Sequence, residues 1–361
     1  MAYLPLSTAN LPDPAIDPAQ GASPEDYFGT LLWTGDGTSN QSVTGLNFQP
    51  DLVFSKGRNF ATGGVMLDAV RGSDAALFTN VTNAETTTDT NWNTLTFQSG
   101  GFNTGSGIGF NNNTSTFVAW NWKANGSGVS NTDGSITSTV SANTTSGFSI
   151  VSYTGNNTDG ATVGHGLNQT LDLCIPKSRD VARNWPVKHS ALSGENSIFL
   201  NLTDGAAVTG AGNITFDATD TFTLNRGPSS SLNINESGKP FIAYCFHSVE
   251  GFSKFGSYTG NGNADGSFVY CGFRPAFVMS KRSNSTGYWN MFDADRDIND
   301  STGKQLWANS SAAEASSTGN LIDILSNGFK CRGTGSDINA SGSTYIYMAF
   351  AENPFKYSNA R

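Results

Sequence analysis

The chain has 361 residues, 14% of them charged, with a formal net charge of −9 and a sequence pI near 4.7. An acidic chain with no Lys/Arg run interleaved with aromatics excludes a phosphate-tracking surface, and with it nucleic acid as the expected partner. No apolar run approaches the roughly twenty residues of a membrane-spanning helix, and no basic-then-apolar leader opens the chain, so neither membrane insertion nor a secretory signal is expected.

Gly, Ser, Thr and Asn dominate, yet 24 Phe and 7 Trp supply enough apolar area for packed cores. Cys174, Cys245, Cys271 and Cys331 show no CxxC spacing and read as buried free thiols of a protein that folds in a reducing cytosol.

Residues 1–27 carry Pro5, Pro12, Pro14, Pro18 and Pro24, which block helix and favour an extended arm. Tyr3, Leu4, Leu6, Leu11 and Ile16 punctuate the prolines as anchors would. Two readings stand side by side: an assembly arm that orders on a neighbouring subunit, and a frayed terminus.

From residue 28 the chain repeats itself three times. Each unit opens on an aromatic-Thr-Gly triplet (Trp33, Tyr153, Tyr258) and reaches a lysine (Lys56, Lys177, Lys281) 23, 24 and 23 residues later. Asn80, Asn201 and Asn309 follow the lysines by 24, 24 and 28 residues, and an apolar run closes each unit at Trp122, Phe246 and Phe350. Four markers in constant order point to tandem duplication with a period of domain size. The expected layout is repeat one at 28–123, a Gly/Ser/Thr/Asn-rich linker at 124–147, repeat two at 148–251 and repeat three at 252–361. Ile136 and Val140 could pin the linker, which leaves hinge and ordered loop both open.

The short β-branched and aromatic runs between Gly, Asn and Asp turns predict an all-β fold of three antiparallel β-sandwiches, jelly-roll-like, each burying its own core. The only helix candidates are 310–317 and 320–327. The units could string out as a shaft or fold back into a pseudo-threefold cluster; spacing does not separate the two.

Chemistry-bearing clusters are few. In repeat two, His165, Lys177, Arg179, Asp180, Arg183, Lys188 and His189 form a polar set without a carboxylate pair, nucleophile elbow or metal spacing, so it reads as a charged strand-turn-strand surface. Its basic tilt over 177–189 predicts a contact with acidic neighbours between domains or subunits. In repeat three, Asp293, Asp295 and Asp297 imitate a calcium loop, but Ile298 stands where a Gly is required and Lys304 where a bidentate Glu is required. They are the only metal candidates; no calcium or other cofactor is expected, and no catalytic residue is assigned.

The passages NTDGSITSTVSANTTSGFSIVSYTG, KSRDVARNWPVKH, FGSYTGNGNADGSFVYCGFRPAFVMSKR and DINASGSTYIYMAFAENPFKY resemble a repeat family of tailed bacteriophages of aquatic bacteria, described as tail-fibre or virion structural protein with a lectin-like sandwich. The resemblance runs from about residue 28 to the end. It implies a virion protein with no catalytic motif to carry over, made in the bacterial host cytoplasm.

Three functions follow as expectations. The first is a tail-fibre or tail-associated protein that docks on other virion proteins through its arm, forms a homo-oligomer with a trimer favoured, and meets a host surface glycan through exposed aromatics among Trp185, Tyr288, Trp289 and Trp307. The second is a capsid decoration or head-fibre protein clamped by the arm. The third is a polysaccharide-degrading adhesin, for which Asp293, Asp295 and Asp297 offer the only acidic cluster.

Overall fold

The structure is a computed structural model and describes residues 11–89, 91–92, 95–194, 196–208, 213–225, 234–297 and 301–358. The all-β class is borne out: apart from the single turn of helix Ile108–Asn111 and two 3₁₀ turns in the arm, the described elements are strands paired antiparallel.

All three repeats build their larger sheet in one order. The opening strand pairs with the closing strand, which pairs with the lysine strand, which pairs with the next. In repeat one these are Phe28–Thr34, Thr116–Trp122, Leu52–Gly57 and Val65–Asp68, extended by Gly72–Phe78. In repeat two they are Phe148–Thr154, Pro240–Phe246, Leu173–Ser178 and Pro186–His189. In repeat three they are Ser253–Thr259, Thr344–Pro354, Phe273–Arg282 and Trp289–Asp293. A smaller sheet accompanies each, led by Gln41–Thr44, Ala161–Gly164 and Phe268–Tyr270. The closing strands lie between the opening and lysine strands of the larger sheets and are buried on both sides, which is why they read as unbroken apolar runs.

The opening triplets have a common structural reason. Trp33 Nε1 donates to Phe110 O, and the Tyr153 and Tyr258 hydroxyls donate to Ile234 O and Ile338 O, each at 2.8 Å. Two residues on, a Cβ on Gly35, Gly155 or Gly260 would fall 2.3, 2.3 and 2.5 Å from the carbonyl oxygens of Asn112, Glu236 and Ala340. The aromatic pins a crossing loop by its polar tip, and the glycine lets that loop's backbone pass.

The repeats do not stand apart. Trp122, Phe246 and Phe350, the three closing aromatics, form a triangle with ring centroids 6.5, 5.9 and 5.6 Å apart. One hydrophobic cluster takes residues from all three repeats, including Phe28, Leu52, Phe148, Leu173 and Phe277. Repeats one and two keep a second core between their own sheets, whereas the sandwich core of repeat three is continuous with the shared one. The expectation of three self-sufficient cores is thus corrected: the units fold back on one another, because alternate residues of each larger sheet put its second face into the shared cluster.

Two further expectations change. Residues 124–147 are not a free linker: Val129–Asn131 and Ser138–Asn143 add two strands to the larger sheet of repeat two, and Ile136 and Val140 are buried. The helix candidates contain the strands Ala315–Ser316 and Ile322–Leu325 instead; the alternation of Ile322 and Ile324 into the core has the strand period of two.

The arm is likewise no free extension over the residues described. Pro18–Gln20 and Pro24–Asp26 form 3₁₀ turns with proline at their starts. Ile16 is fully buried in the shared core of its own chain, Ala15 N donates to Glu250 O, and Asp13 pairs with Lys356. Tyr3, Leu4 and Leu6 lie outside the described residues.

Candidate functional site

The three repeat lysines and Arg179 lie on the seams between repeats, whereas the Lys188, Asp180 and Arg183 side chains bond within repeat two. Lys56, Lys177 and Lys281 are buried to 1%, 1% and 0% exposure. Lys56 Nζ donates to Thr62 O and across to Ser310 O of repeat three, at 2.5 and 2.7 Å. Lys177 donates to Ser178 O and across to Thr82 O of repeat one, at 2.9 and 3.2 Å. Lys281 donates to Arg282 O and across to Thr203 O of repeat two, at 2.9 and 3.0 Å. Repeat two grips one, three grips two, and one grips three, so the ring closes.

A backbone bond repeats beside each lysine: Glu85 N to Arg179 O, Ala206 N to Ser283 O and Glu314 N to Arg58 O, at 2.7, 2.6 and 2.7 Å. Two of the seams add a two-pronged ion pair. Arg179 meets Glu85 with both bonds at 2.9 Å, and Arg58 meets Glu314 with both at 3.0 Å. Ser283 and Ala206 stand at those places in the third seam and cannot form it. The basic tilt of 177–189 is therefore partly a seam feature: Arg179 faces acidic Glu85 of repeat one, while Arg183 pairs with Glu236 inside its own repeat.

Burial pushes all three lysine amines down to about 8, at Lys281 against the opposing pull of Asp337 and Asp204. Each amine meets two carbonyls, the number of N–H bonds a neutral amine retains.

Beneath the seams lie two buried networks that the repeat markers did not disclose. Asp68 Oδ2 accepts from Arg71 Nε at 2.6 Å and from the Tyr244 hydroxyl of repeat two at 2.9 Å. Asp293 Oδ2 accepts from Arg296 Nε at 2.5 Å and from Trp120 Nε1 of repeat one at 3.0 Å. Arg71 and Arg296 go on to Glu85 and Glu314, joining each network to its seam. Burial alone would lower the Arg71 guanidinium, but Asp68, Tyr244 and Glu85 outweigh it and hold it above its ordinary value. The signal was in the sequence as Asp-x-x-Arg in LDAVR and FDADR; repeat two has His189 and Leu192 there. His189 Nε2 bonds Tyr347 O of repeat three at 3.1 Å, in the same sense as the two Asp networks and opposite to the lysines.

These placements overturn several expectations. Asp293 has no exposure and its carboxylate is committed to Arg296 and Trp120, so it can serve neither as the first ligand of a calcium loop nor as half of a glycosidase pair. Asp295 is exposed and Asp297 half-buried, and position 298 onward to 300 lies outside the described residues. Among the described residues no group of three or more His, Cys, Asp or Glu is placed to hold a metal.

Trp185 and Trp289 are not surface platforms. They are buried, and their indole N–H groups donate into the neighbouring repeat, to Phe78 O and Val81 O and to Phe199 O respectively. Repeat one has Gly64 at the matching place, where even a Cβ would fall 2.6 Å from Thr79 Oγ1. Asn201 and Asn309 hold the two indole-bearing residues by accepting from their backbone N–H groups, at 2.9 and 3.0 Å. His165 is a core residue, its ring pushed down to about 4 by burial.

Tyr288 and Trp307 do reach the surface together. Tyr288 is 41% exposed, its ring lies 5.6 Å from that of half-buried Trp307, and the Trp307 indole is held by Asn290 Oδ1. Asp337 Oδ1 bonds Tyr288 N alongside. This tilted aromatic pair with a flanking carboxylate can stack one ring face and accept hydrogen bonds from hydroxyls. A groove of about 430 Å³ opens elsewhere, where Leu11, Pro12 and Pro14 of the arm face Lys254, Tyr270 and Phe355. The four cysteines are buried and free, Cys245 Sγ lying 3.8 Å from Cys174 Sγ without a disulfide.

A single family model, described as a domain of unknown function (DUF7483), matches residues 23–354. The chain belongs to that family. The matched unit spans all three repeats and the second 3₁₀ turn, Pro24–Asp26, so the ring as a whole, not one repeat, is the family's domain. No curated protein and no solved structure matches the chain.

Proposed function

We propose that the protein is a structural component of a bacteriophage virion, tail-associated and engaged in assembly and host attachment. The observation that carries this reading is the closed ring. The buried cations between repeats are spent on carbonyls and carboxylates of the next repeat, which suits a rigid body that must hold its shape on a particle rather than a cleft that turns over substrate. The resemblance of the repeats to virion proteins points the same way, and so do four unpaired thiols in a protein made inside a host cell.

In this reading one chain supplies by duplication the threefold form that a trimer of single repeats would have. It sits on other virion proteins with its N-terminal segment toward them and meets a surface glycan at Tyr288 and Trp307. Antibody against residues 252–361 on intact virions tests it. A few gold particles at the tail are expected. Label spread in large numbers over the head makes the protein a decoration or head-fibre protein instead, and unlabelled particles overturn the virion reading.

A further inference from the structure

The four buried thiols are of two kinds. In repeat three, Cys271 Sγ points to Val269 O at 3.9 Å and Cys331 Sγ to Ile338 O at 3.6 Å, so each has a backbone acceptor. In repeat two, Cys174 and Cys245 have each other: their sulfurs are 3.8 Å apart, and neither residue has any solvent exposure.

Cys174 of the lysine strand lies directly opposite Cys245 of the closing strand. Arg179 N donates to Pro240 O at 3.0 Å, and Pro176, which has no N–H to give, lies opposite Ala243. Alternation from that bond puts Pro176 and Cys174 both at non-hydrogen-bonded positions, where facing side chains approach most closely. A position of that kind sets the Cα atoms about 4.5 Å apart, inside the roughly 4.4–6.8 Å that a disulfide bridges. The other repeats have Val53 opposite Asn121 and Val278 opposite Ala349 at this place, so filling it does not call for sulfur.

We propose that Cys174 and Cys245 are a latent disulfide, closed by a low-molecular-weight disulfide once the protein is out of a reducing compartment. One cysteine, as thiolate, attacks the small disulfide RS–SR; a mixed disulfide forms, and the released RS⁻ takes up the proton that the cysteine lost. The second cysteine, also as thiolate, then attacks the protein sulfur of that mixed disulfide, and a second RS⁻ leaves with the second proton. Two protein thiols are oxidised, and one RS–SR is reduced to two RSH. Burial and the neighbouring Cys174 hold the Cys245 thiol well above its ordinary value, so the first attack waits for local opening and is slow. The second is fast, because the partner sulfur is already at contact distance. The bond ties the strand that carries Lys177 to the closing strand and shuts the loop from residue 174 to residue 245.

Excess oxidised glutathione added to the full, folded chain tests the assignment. Thiols titrated in denaturant should fall from four to two per chain. The mass should drop by two hydrogens with no glutathione retained, and a peptide map should join residues 174 and 245. The thermal midpoint should rise by about 5 °C and return on reduction with dithiothreitol. Cys271→Ala/Cys331→Ala should close the bond at an unchanged rate, and Cys174→Ala should not close it. Four thiols left after long incubation, with sub-denaturing urea added to speed opening, overturn the proposal. So does a lasting glutathione adduct on the unsubstituted chain, a bond that takes in Cys271 or Cys331, or a midpoint that falls on oxidation. If the alanine variants do not fold, the unsubstituted chain decides alone.

Discussion

Lys281 reaches out of repeat three to the carbonyl of Thr203 in repeat two, at 3.0 Å, from a position with no solvent exposure. Lys177 and Lys56 do the same to Thr82 and Ser310. A lysine chosen for a surface would be solvated; these three serve as crossbars because a long apolar stem can pass through a packed seam and deliver donors at its far end.

Replacing any of the three with methionine keeps the stem and removes the donors. Two carbonyls then lose their partner in each case, so Lys56→Met, Lys177→Met and Lys281→Met are each expected to lower unfolding free energy by about 1–3 kcal/mol. Denaturant titration at pH 7 measures it. A change below about 0.5 kcal/mol in all three would remove the crossbar role.

The same lysines set an alkaline signature. Their folded pKa of about 8 lies below the ordinary 10.5, so above pH 8 the unfolded chain holds more protons than the folded one and stability rises with pH. The buried thiols act oppositely from pH 9, because Cys271 and Cys331 are pushed up to about 12 and about 11 from 9.0 and the unfolded chain sheds protons first. Stability should therefore increase from pH 8 to pH 9 and turn over above it. On the acid side, His165 at about 4 against 6.5 makes stability fall as pH drops below 6.5. Thermal unfolding across pH 4–10 checks both limbs, and a flat profile from 8 to 9 contradicts the first.

Breaking a buried network should cost more than breaking a rim pair. Arg296→Met leaves the Asp293 carboxylate buried with only the Trp120 N–H and backbone donors, for an expected loss of about 3–5 kcal/mol. Arg183→Ala removes a pair whose partners are 24% and 33% exposed and should cost about 0–1 kcal/mol. Comparable losses for the two would mean that the Asp-x-x-Arg network is not a structural core element.

Gly155→Ala probes the loop crossing. Its Cβ would lie 2.3 Å from Glu236 O, a backbone atom that cannot swing away, so the substitution should cost about 1–3 kcal/mol. Gly160→Ala, with open space but φ of +73°, separates steric conflict from backbone strain: its expected cost is about 1 kcal/mol. A Gly155→Ala protein as stable as the parent would contradict the close passage.

The sequence disclosed what is local. Aromatic-Thr-Gly openings, apolar closing runs and lysine strands each sit in one strand or turn, and their spacing carries the repeat. A fifth marker escaped: Asn111, Asn235 and Asn339 are buried and accept from Asp36 N, Asn156 N and Asn261 N at 2.8, 2.9 and 2.9 Å. Their neighbours, GFNNN, NINES and DINAS, differ too much for the eye to align. The ring itself was not legible, since the contacts Lys56–Ser310 and Arg58–Glu314 join residues some two hundred and fifty positions apart and leave no periodic trace. Tryptophan misled for the opposite reason. Trp185 and Trp289 sit in polar, turn-like sequence, yet each fills the seam that the neighbouring repeat opens.

The central claim is that three repeats close into one ring, and small-angle scattering of the monodisperse protein tests it most directly. A closed body of 361 residues should have a radius of gyration of about 21 Å, the value for a compact chain of that length. Three repeats strung end to end would give roughly 30 Å or more, from the same scaling applied to each unit and separated centres. A radius near the larger value, with an elongated distance distribution, would contradict the ring.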